Sequence, residues 1–370
     1  MIKKIKIGNK FIGEKEPVFI IAEAGVNHNG KLAAALKLID AAAAAGVDAV
    51  KFQTFRAENV TTGAGEMAEY QKKNIGKNES QLMMLKKLEL PEDFYPSLIN
   101  RCREKKIIFL SAPHGGFQSV DFLENLKIPA FKIGSSDLTN LPLLEYAAKF
   151  NKPMIISTGM ATLAEARQAT EVVKKAGNNN IIVLHCTVNY PCPLNEVNLR
   201  AMAKLEKELK VFVGYSDHTE GIKISIAAVV LGARLIEKHF TLDKNLPGPD
   251  HKASLEPAEL SELVRQIRKA EKRLAGGENP KSLIKELKVQ PSLGSGIKKP
   301  FPSELKTMKI GRKSLVARLN ISKGTEILGE MLDIKRPGTG LEPKYLKMVV
   351  GKIARKNILR DALITFKDLK

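Results

Sequence analysis

The sequence predicts an α/β protein: a (β/α)8 TIM barrel followed by a small, β-rich C-terminal domain. Eight short, apolar, β-branched runs recur along the first 240 residues, with helical stretches between them. Continuous apolar runs that alternate with helices are typical of parallel strands covered on both faces. Eight such units within about 250 residues favour a closed barrel over an open doubly wound sheet.

The predicted elements follow one another in a regular order. The opening stretch 3–17 (KKIKIGNKFIGEKEP) predicts a hairpin. The barrel strands are predicted at 18–22, 47–52, 107–111, 130–133, 154–157, 181–186, 211–215 and 233–239. Two helical stretches between them, KLAAALKLIDAAAAAG and LAEARQATEVVKKAG, end in Gly46 and Gly177, a residue type that suits a helix C-cap.

The domain boundaries are predicted from a change in composition after the helix EPAELSELVRQIRKAEKRL. The segment that follows is rich in Gly, Pro and Ser and has no strong hydrophobic periodicity. We therefore predict a barrel domain with its hairpin over 1–275, a linker over 276–306 and a β-rich domain over 307–370.

The formal net charge of +20 is concentrated in the last part of the chain, where residues 281–370 hold 21 Lys and Arg against 8 Asp and Glu. These basic residues are spaced singly through apolar text, which is typical of a solvated face. Tryptophan is absent and aromatic residues make up 5% of the chain, which argues against a stacking platform for single-stranded nucleic acid. We expect no nucleic-acid partner, and a polyanion-binding protein is the distant alternative.

The cellular compartment is predicted from three negative features. The first residues lack the apolar core of a secretory signal, and no apolar run approaches membrane-spanning length. The cysteines Cys102, Cys186 and Cys192 form neither a CxxC pair nor a disulfide framework. We therefore expect a cytoplasmic protein without a membrane partner.

Every predicted barrel strand ends in side chains that ionise or form hydrogen bonds. In TIM barrels the active site lies at the C-terminal ends of the strands, so these side chains are expected to form one polar bowl. The candidates are Glu23, Lys51, Gln53, Lys132, Ser135, Ser157, Asn189, Tyr190, Ser216, Asp217, His218, Glu237 and His239.

Part of this set suits an anion. Lys51 and Lys132 stand on separate strands, and with Ser135, Ser157 and Ser216 they would hold an oxyanion such as phosphate beside a carboxylate. The structural alternative is that the lysines are solvated charges and the serines are helix N-caps.

Another part suits a metal and proton transfer. His218 and His239 lie at adjacent strand ends and would bind a divalent metal through neutral imidazole nitrogens. Glu23 and Glu237 would then bind sugar hydroxyls or transfer protons. The structural alternatives are hydrogen-bonded core histidines and, for Asp217, a role in orienting a backbone turn.

Eight stretches of the chain, taken together and in order, resemble those of a known enzyme family. They are IAEAGVNHNG, VDAVKFQTF, FKIGSSDLTNLPLL, ISTGMATLAE, LHCTVNYPCP, VGYSDHT, EKHFTLDKNLPGPDH and IKRPGTG. The set resembles the N-acetylneuraminate (sialic acid) synthase family almost from end to end. The tail resembles the antifreeze-like (SAF) β-clip domain of those enzymes.

The resemblance implies an enzyme, a transferase that condenses phosphoenolpyruvate with N-acetylmannosamine or a close analogue. The products would be a nine-carbon 2-keto acid and phosphate. It implies that His218 and His239 bind Mn²⁺ or Mg²⁺, and that the two lysines and three serines named above hold phosphoenolpyruvate. Glu23, Gln53, Tyr190 and Glu237 match sugar-side or proton-handling positions, and either glutamate could handle the proton of the attacking water.

Two further positions carry implications of their own. Arg336, in KRPG, matches an arginine that binds the sugar's N-acetyl group in the site of the neighbouring subunit, which implies a domain-swapped homodimer. Val188 stands where some members have an asparagine that contacts phosphoenolpyruvate, and Asn189 follows one place later.

The alternative substrates are the diacetamido-trideoxy hexoses that give legionaminic or pseudaminic acid. The legionaminic precursor shares the manno arrangement.

Overall fold

The computed structural model describes residues 4–76 and 79–370, and its elements begin with a short antiparallel hairpin. Strand β1 (Lys4–Ile7) pairs with β2 (Lys10–Gly13). The predicted hairpin started at Lys3, which lies outside the described residues. Ile5, Ile7 and Ile12 of the hairpin belong to the same apolar cluster as Phe19 and Leu235, at the beginnings of two barrel strands, so the hairpin covers the N-terminal end of the barrel.

Eight parallel strands form the centre of the molecule. They are β3 (Phe19–Gly25), β4 (Ala49–Thr54), β5 (Ile108–Pro113), β6 (Phe131–Ile133), β7 (Met154–Ser157), β8 (Ile181–His185), β9 (Phe212–Asp217) and β10 (Leu235–His239). Their order in the sheet is β5-β4-β3-β10-β9-β8-β7-β6, and the two end strands lie side by side, so the sheet curls into a near-closed barrel. The predicted barrel and its eight strands are confirmed.

Helices cover the outside of the barrel and fill its connections, and the last helix packs in the C-terminal domain. They are α1 (Leu32–Ala45), α2 (Ala57–Val60), α3 (Glu69–Ile75), α4 (Gln81–Lys86), α5 (Tyr95–Glu104), α6 (Phe117–Asn125), α7 (Leu141–Ala148), α8 (Leu163–Lys175), α9 (Ala201–Leu209), α10 (Lys223–Val230), α11 (Pro257–Ala275), α12 (Pro280–Leu287), α13 (Glu304–Gly311) and α14 (Leu346–Val349). As expected, α1 ends at Gly46, whose positive φ of 79° suits a residue without a side chain. None of the helices in the described ranges is both long and apolar enough to cross a membrane.

The predicted linker 276–306 contains α12 and the start of α13. Leu283 and Ile284 of α12 are buried in the apolar core between strands and helices, and Lys298 and Glu304 are also buried. The segment therefore lies against the barrel over much of its length.

The C-terminal domain has a small core of its own. Strand β11 (Ser314–Ala317) pairs antiparallel with β12 (Leu332–Lys335), and isolated bridges join the remaining segments. Leu315, Ile327 and Ile364 are fully buried in this separate cluster. The predicted β-rich tail is confirmed.

Candidate active site

An open cleft of about 1120 Å³, its mouth included, lies at the C-terminal ends of the barrel strands. It gathers most of the site residues predicted from the sequence. Those that line it are Glu23, Lys51, Gln53, Lys132, Ser135, Ser157, Tyr190, Ser216, His218, Glu237, His239 and Arg336. The barrel thus brings together side chains that are separated by up to about 300 residues of sequence.

Four buried charges of alternating sign form the floor of the cleft. The Lys51 Nζ atom lies 2.5 Å from Glu23 Oε2 and 3.8 Å from Glu237 Oε2. The Lys132 Nζ atom lies 3.1 Å from Glu237 Oε1. Strand register explains the contact between Glu23 and Lys51, because these two residues are paired across β3 and β4. Glu23 is also paired with His239 on β10.

The two carboxyl groups of this floor differ in their affinity for a proton. Burial raises the pKa of Glu23 above its ordinary value and outweighs the opposing attraction of Lys51. Burial also acts to raise the pKa of Glu237, but Lys132 and Lys51 outweigh it and hold the pKa at about 2. Glu237 therefore stays ionised, whereas Glu23 is the carboxyl better suited to accept a proton near neutral pH.

The three serines stand at the ends of β6, β7 and β9. Ser135 Oγ accepts the Gly159 N–H at 3.0 Å, and Ser216 Oγ donates to Glu237 Oε1 at 3.0 Å. Ser157 Oγ is buried and has no hydrogen-bond partner among the described residues. A buried hydroxyl without a partner, in the same cleft as two ammonium groups, suits an incoming anion.

The two histidines present neutral rings to the cleft, with centroids 5.7 Å apart. Burial lowers the pKa of both to about 3, helped by His239 in the case of His218 and by Lys51 in the case of His239. His218 Nδ1 donates to the Thr187 carbonyl oxygen at 2.7 Å, so Nε2 carries the lone pair and lies 3.1 Å from the Tyr190 hydroxyl.

The donor set fits a divalent metal. Among the described residues, His239 Nδ1 is buried without a hydrogen-bond partner, and the partners of His218 Nε2 are the hydroxyl groups of Tyr190 and Ser216. Within residues 4–76 and 79–370, no group of three or more His, Cys, Asp or Glu surrounds a common metal position. The chain would therefore supply two imidazoles and leave the other positions to substrate and water.

Arg336 reaches the cleft from the C-terminal domain of the same chain. Its backbone N–H donates to the Val60 carbonyl at 2.8 Å, and its carbonyl accepts the Thr62 N–H at 3.1 Å. Its guanidinium lies 3.4 Å from the Ser136 hydroxyl, and its Nε has no partner among the described residues. Arg336 thus has hydrogen-bonding capacity left for a ligand.

Two predicted substrate-binding residues do not line the cleft. Asp217 points to the outer face of β9, where it lies 3.0 Å from Lys238 Nζ and accepts bonds from Thr219 and Ser225. Side chains alternate along a strand, so Ser216 and His218 inside require Asp217 outside, a signal that was present in the sequence. After β8, Val188 lines the cleft and Asn189 does not.

Other residues of the cleft were not predicted. Tyr70 packs against Tyr190 with ring centroids 4.9 Å apart, and Asp250 also lines the cleft. Burial, with the nearby charge of Glu23, raises the pKa of Asp250 to about 7. Tyr70 lies on the short helix α3 and Asp250 in the loop after β10, and no periodicity in the sequence specifies where either side chain lies.

Comparisons with known proteins agree with the geometry. A model of the NeuB family matches residues 38–279, and a model of the SAF domain matches residues 312–370. The N,N'-diacetyllegionaminic acid synthase of Campylobacter jejuni is 50% identical over 93% of this chain and 98% of its own length. The human N-acetylneuraminate-9-phosphate synthase is 38% identical over 96% of this chain and 93% of its own length.

A solved structure extends the likeness to the whole fold. The spore coat polysaccharide biosynthesis protein SpsE of Bacillus subtilis superimposes with a TM-score of 0.84 at 37% identity, covering 99% of both chains. The likeness therefore includes the C-terminal domain as well as the barrel.

Proposed function

The chain belongs to the NeuB family of sialic acid synthases, and we propose that it condenses phosphoenolpyruvate with a diacetamido-trideoxy hexose to a legionaminic-acid-type product. It is an enzyme, a transferase of the kind that joins phosphoenolpyruvate to a sugar. The observation that carries the proposal is the meeting of two ammonium groups and three serine hydroxyls with two neutral imidazoles in one cleft.

The choice of sugar is supported by sequence likeness and by an apolar part of the cleft wall. The relative that is named a legionaminic acid synthase is 50% identical to this chain, against 38% for the human N-acetylneuraminate-9-phosphate synthase. The wall includes Val26, Phe55, Val60, Met84, Leu85 and Leu88, which belong to one apolar cluster. Such a surface suits the C6 methyl and second acetamido methyl of a diacetamido-trideoxy hexose better than hydroxyl groups.

N-Acetylmannosamine, the acceptor expected from the sequence, is the second candidate. The human relative, which matches 96% of this chain, is named for a phosphorylated N-acetylneuraminate, so it supports an acceptor of the N-acetylmannosamine type as a class. An apolar wall rejects an added hydroxyl only weakly, so a measurable rate with this sugar is expected as well.

The roles of the residues follow from their charges. Lys51 and Lys132, with Ser135, Ser157 and Ser216, would hold the phosphate and carboxylate of phosphoenolpyruvate. His218 and His239 would hold Mn²⁺ or Mg²⁺, which when bound supplies a Lewis acid for the aldehyde oxygen of the sugar.

Two bonds then form and one breaks, in sequence. C3 of phosphoenolpyruvate attacks the aldehyde carbon, positive charge develops at C2, and water adds there. The resulting tetrahedral centre expels phosphate by C–O cleavage. We assign the water's proton to Glu23, whose pKa is raised, and assign to the ionised Glu237 the task of stabilising the positive charge.

Turnover of a panel of acceptor sugars tests the proposal. Purified protein with Mn²⁺ and phosphoenolpyruvate should release phosphate with the legionaminic precursor about 10- to 100-fold more efficiently, in kcat/KM, than with N-acetylmannosamine. Mass spectrometry should show the matching nine-carbon acid. A preference for N-acetylmannosamine would show that the proposed acceptor is wrong. Absence of phosphate release with every sugar would refute the proposed reaction.

Metal removal provides a second arm of the same experiment. Protein stripped with EDTA should lose turnover and regain it when Mn²⁺ is added. His218→Ala and His239→Ala should not regain it, although both should remain folded. Full activity of the stripped protein or of either variant would show that the metal assignment is wrong.

A further inference from the structure

Glu304 is a buried carboxylate outside the cleft, at the start of α13 between the barrel and the C-terminal domain. Only 1% of it is exposed. Its Oε1 accepts the backbone N–H groups of Met160 at 2.7 Å and Val188 at 2.8 Å, and its Oε2 accepts that of Phe301 at 2.9 Å. Three N–H donors on one buried carboxylate form a strong and directional anchor.

Two of these donors belong to the loops that follow β7 and β8, on which the cleft depends. Met160 adopts a positive φ of 60°, an uncommon conformation for a residue with a side chain, and its N–H is held by Glu304. The preceding residue, Gly159, donates to Ser135 Oγ. Glu304 thus fastens the backbone directly beside one of the proposed phosphate-binding serines.

The contact with Val188 reaches His218 through a single peptide group. The Val188 N–H and the Thr187 carbonyl belong to the same planar unit, in which a trans bond directs the two groups in opposite directions. The Thr187 oxygen accepts the proton of His218 Nδ1 at 2.7 Å. Glu304 therefore orients the acceptor that keeps the proton on Nδ1 and leaves the Nε2 lone pair toward the cleft.

We propose that Glu304 is a positioning residue that sets the tautomer and orientation of His218 through the Thr187–Val188 peptide, and thereby prepares a divalent-cation site. The identification of the ligand as a divalent cation rests on the proposed function. The assignment of the His218 tautomer does not. Partners that orient a metal-binding histidine are worth about 10- to 100-fold in metal affinity.

The position of Glu304 also links the site to the C-terminal domain. Its neighbours in the chain are held to the barrel, since the Leu163 N–H donates to the Lys298 carbonyl at 3.1 Å and Asn198 Nδ2 donates to the Ile297 carbonyl at 3.0 Å. Displacement of this segment would withdraw Glu304 from both loops. His218 is thus expected to be correctly oriented only when the segment before the C-terminal domain is docked.

The ring nitrogens of histidine report the tautomer directly, in protein that holds no metal. In ¹⁵N-histidine-labelled wild type, with the His218 signals assigned from His218→Ala, Nδ1 should be protonated and Nε2 unprotonated. Glu304→Ala should give a mixture of tautomers and weaken Mn²⁺ binding, followed by electron paramagnetic resonance, by about 10- to 100-fold. Glu304→Gln keeps an acceptor for the loop amides and should restore the wild-type tautomer and most of the affinity.

Two further variants separate the role of Glu304 from general loss of structure. Glu304→Asp keeps the charge, but its shorter side chain cannot reach the loop amides, so it should give the same result as Glu304→Ala. If Glu304→Ala fails to fold, Glu304→Asp provides the test. Lys306→Ala, at an exposed position on the same helix, should behave as wild type. A wild-type His218 tautomer and Mn²⁺ affinity in folded Glu304→Ala or Glu304→Asp would overturn the inference. Absence of turnover in the wild type, with the tautomer shift present, would instead refute only the proposed function.

Discussion

Lys51 and Lys132 show how single residues of this cleft combine stability with function. Each is buried, with about 3% exposed, and each is matched by a carboxylate within 3.1 Å. Removing one member of such a pair leaves an uncompensated charge in a low-dielectric site. The same pairing holds both ammonium groups at the positions where we propose that they bind phosphoenolpyruvate.

Lys132→Met should weaken the use of phosphoenolpyruvate. The loss of one buried cation from an anion site costs about 2–4 kcal/mol in transition-state binding, so kcat/KM for phosphoenolpyruvate should fall by about 30- to 1000-fold. Steady-state kinetics would measure this, with the exposed Lys149→Met as the control. Unchanged constants for this substrate would show that Lys132 does not contact it.

Asp250→Asn should change the pH dependence of stability. The pKa of Asp250 is raised in the folded protein from 3.8 to about 7, so its contribution to stability is complete below pH 3.8 and is lost as the pH rises through about 7. The variant cannot ionise, and between pH 4 and pH 8 it should gain up to about 4 kcal/mol in the free energy of unfolding relative to wild type.

Urea denaturation of the free protein at the two pH values would test this, with Asp243→Asn, an exposed position on the same loop, as the control. A difference between Asp250→Asn and wild type that stays constant with pH would contradict the assignment.

At the scale of elements, the site depends on the close pairing of β9 and β10. Their register places Glu237 beside Ser216, and the two histidines follow at the strand ends. Gly214 in β9 makes this pairing possible, because a Cβ atom there would lie 2.3 Å from the Leu235 carbonyl oxygen and 2.8 Å from Leu184 Cδ2. Glycine in a strand often marks such a close approach of another backbone.

Gly214→Ala should therefore destabilise the barrel and separate the histidines. Overpacking of this kind costs about 1–3 kcal/mol, which thermal denaturation would detect, and Mn²⁺ affinity should fall with it. Gly63→Ala is the matched control, since no atom lies within 4 Å of a Cβ placed there. Equal melting temperatures for the two variants would contradict the steric argument.

At the scale of the whole molecule, the C-terminal domain completes the cleft. Lys313 Nζ lies 2.9 Å from Asp137 Oδ1, on the turn after β6, and the Lys313 side chain is fully buried. Arg336 lies over the cleft of the same chain. A domain swap exchanges identical elements, so the contacts within one chain are also those that a swapped dimer would form between subunits. The dimer expected from the sequence remains our proposal.

Mixing two inactive variants tests that proposal. His218→Ala has an intact tail and Arg336→Ala has an intact barrel, so mixed dimers in which the tail acts on its neighbour should recover part of the activity. A mixture of His218→Ala with His239→Ala should recover none, because both lesions lie in the barrel. No recovery in the first mixture despite confirmed subunit exchange would show that the tail acts within its own chain.

The barrel, the β-rich tail and most of the residues of the cleft could be predicted from the sequence. Buried parallel strands require continuous apolar runs, and the polar residues that end such runs must meet at one edge of the barrel, so Lys51, Lys132, His218 and His239 were identifiable without coordinates. The tertiary structure decided the rest. Tyr70 and Glu304 lie on the short helices α3 and α13 and Asp250 lies in a loop, and their contacts depend on how these segments fold over the strand ends. Those positions are set by burial and hydrogen bonds between residues far apart in the chain, as in the 116 residues that separate Val188 from Glu304.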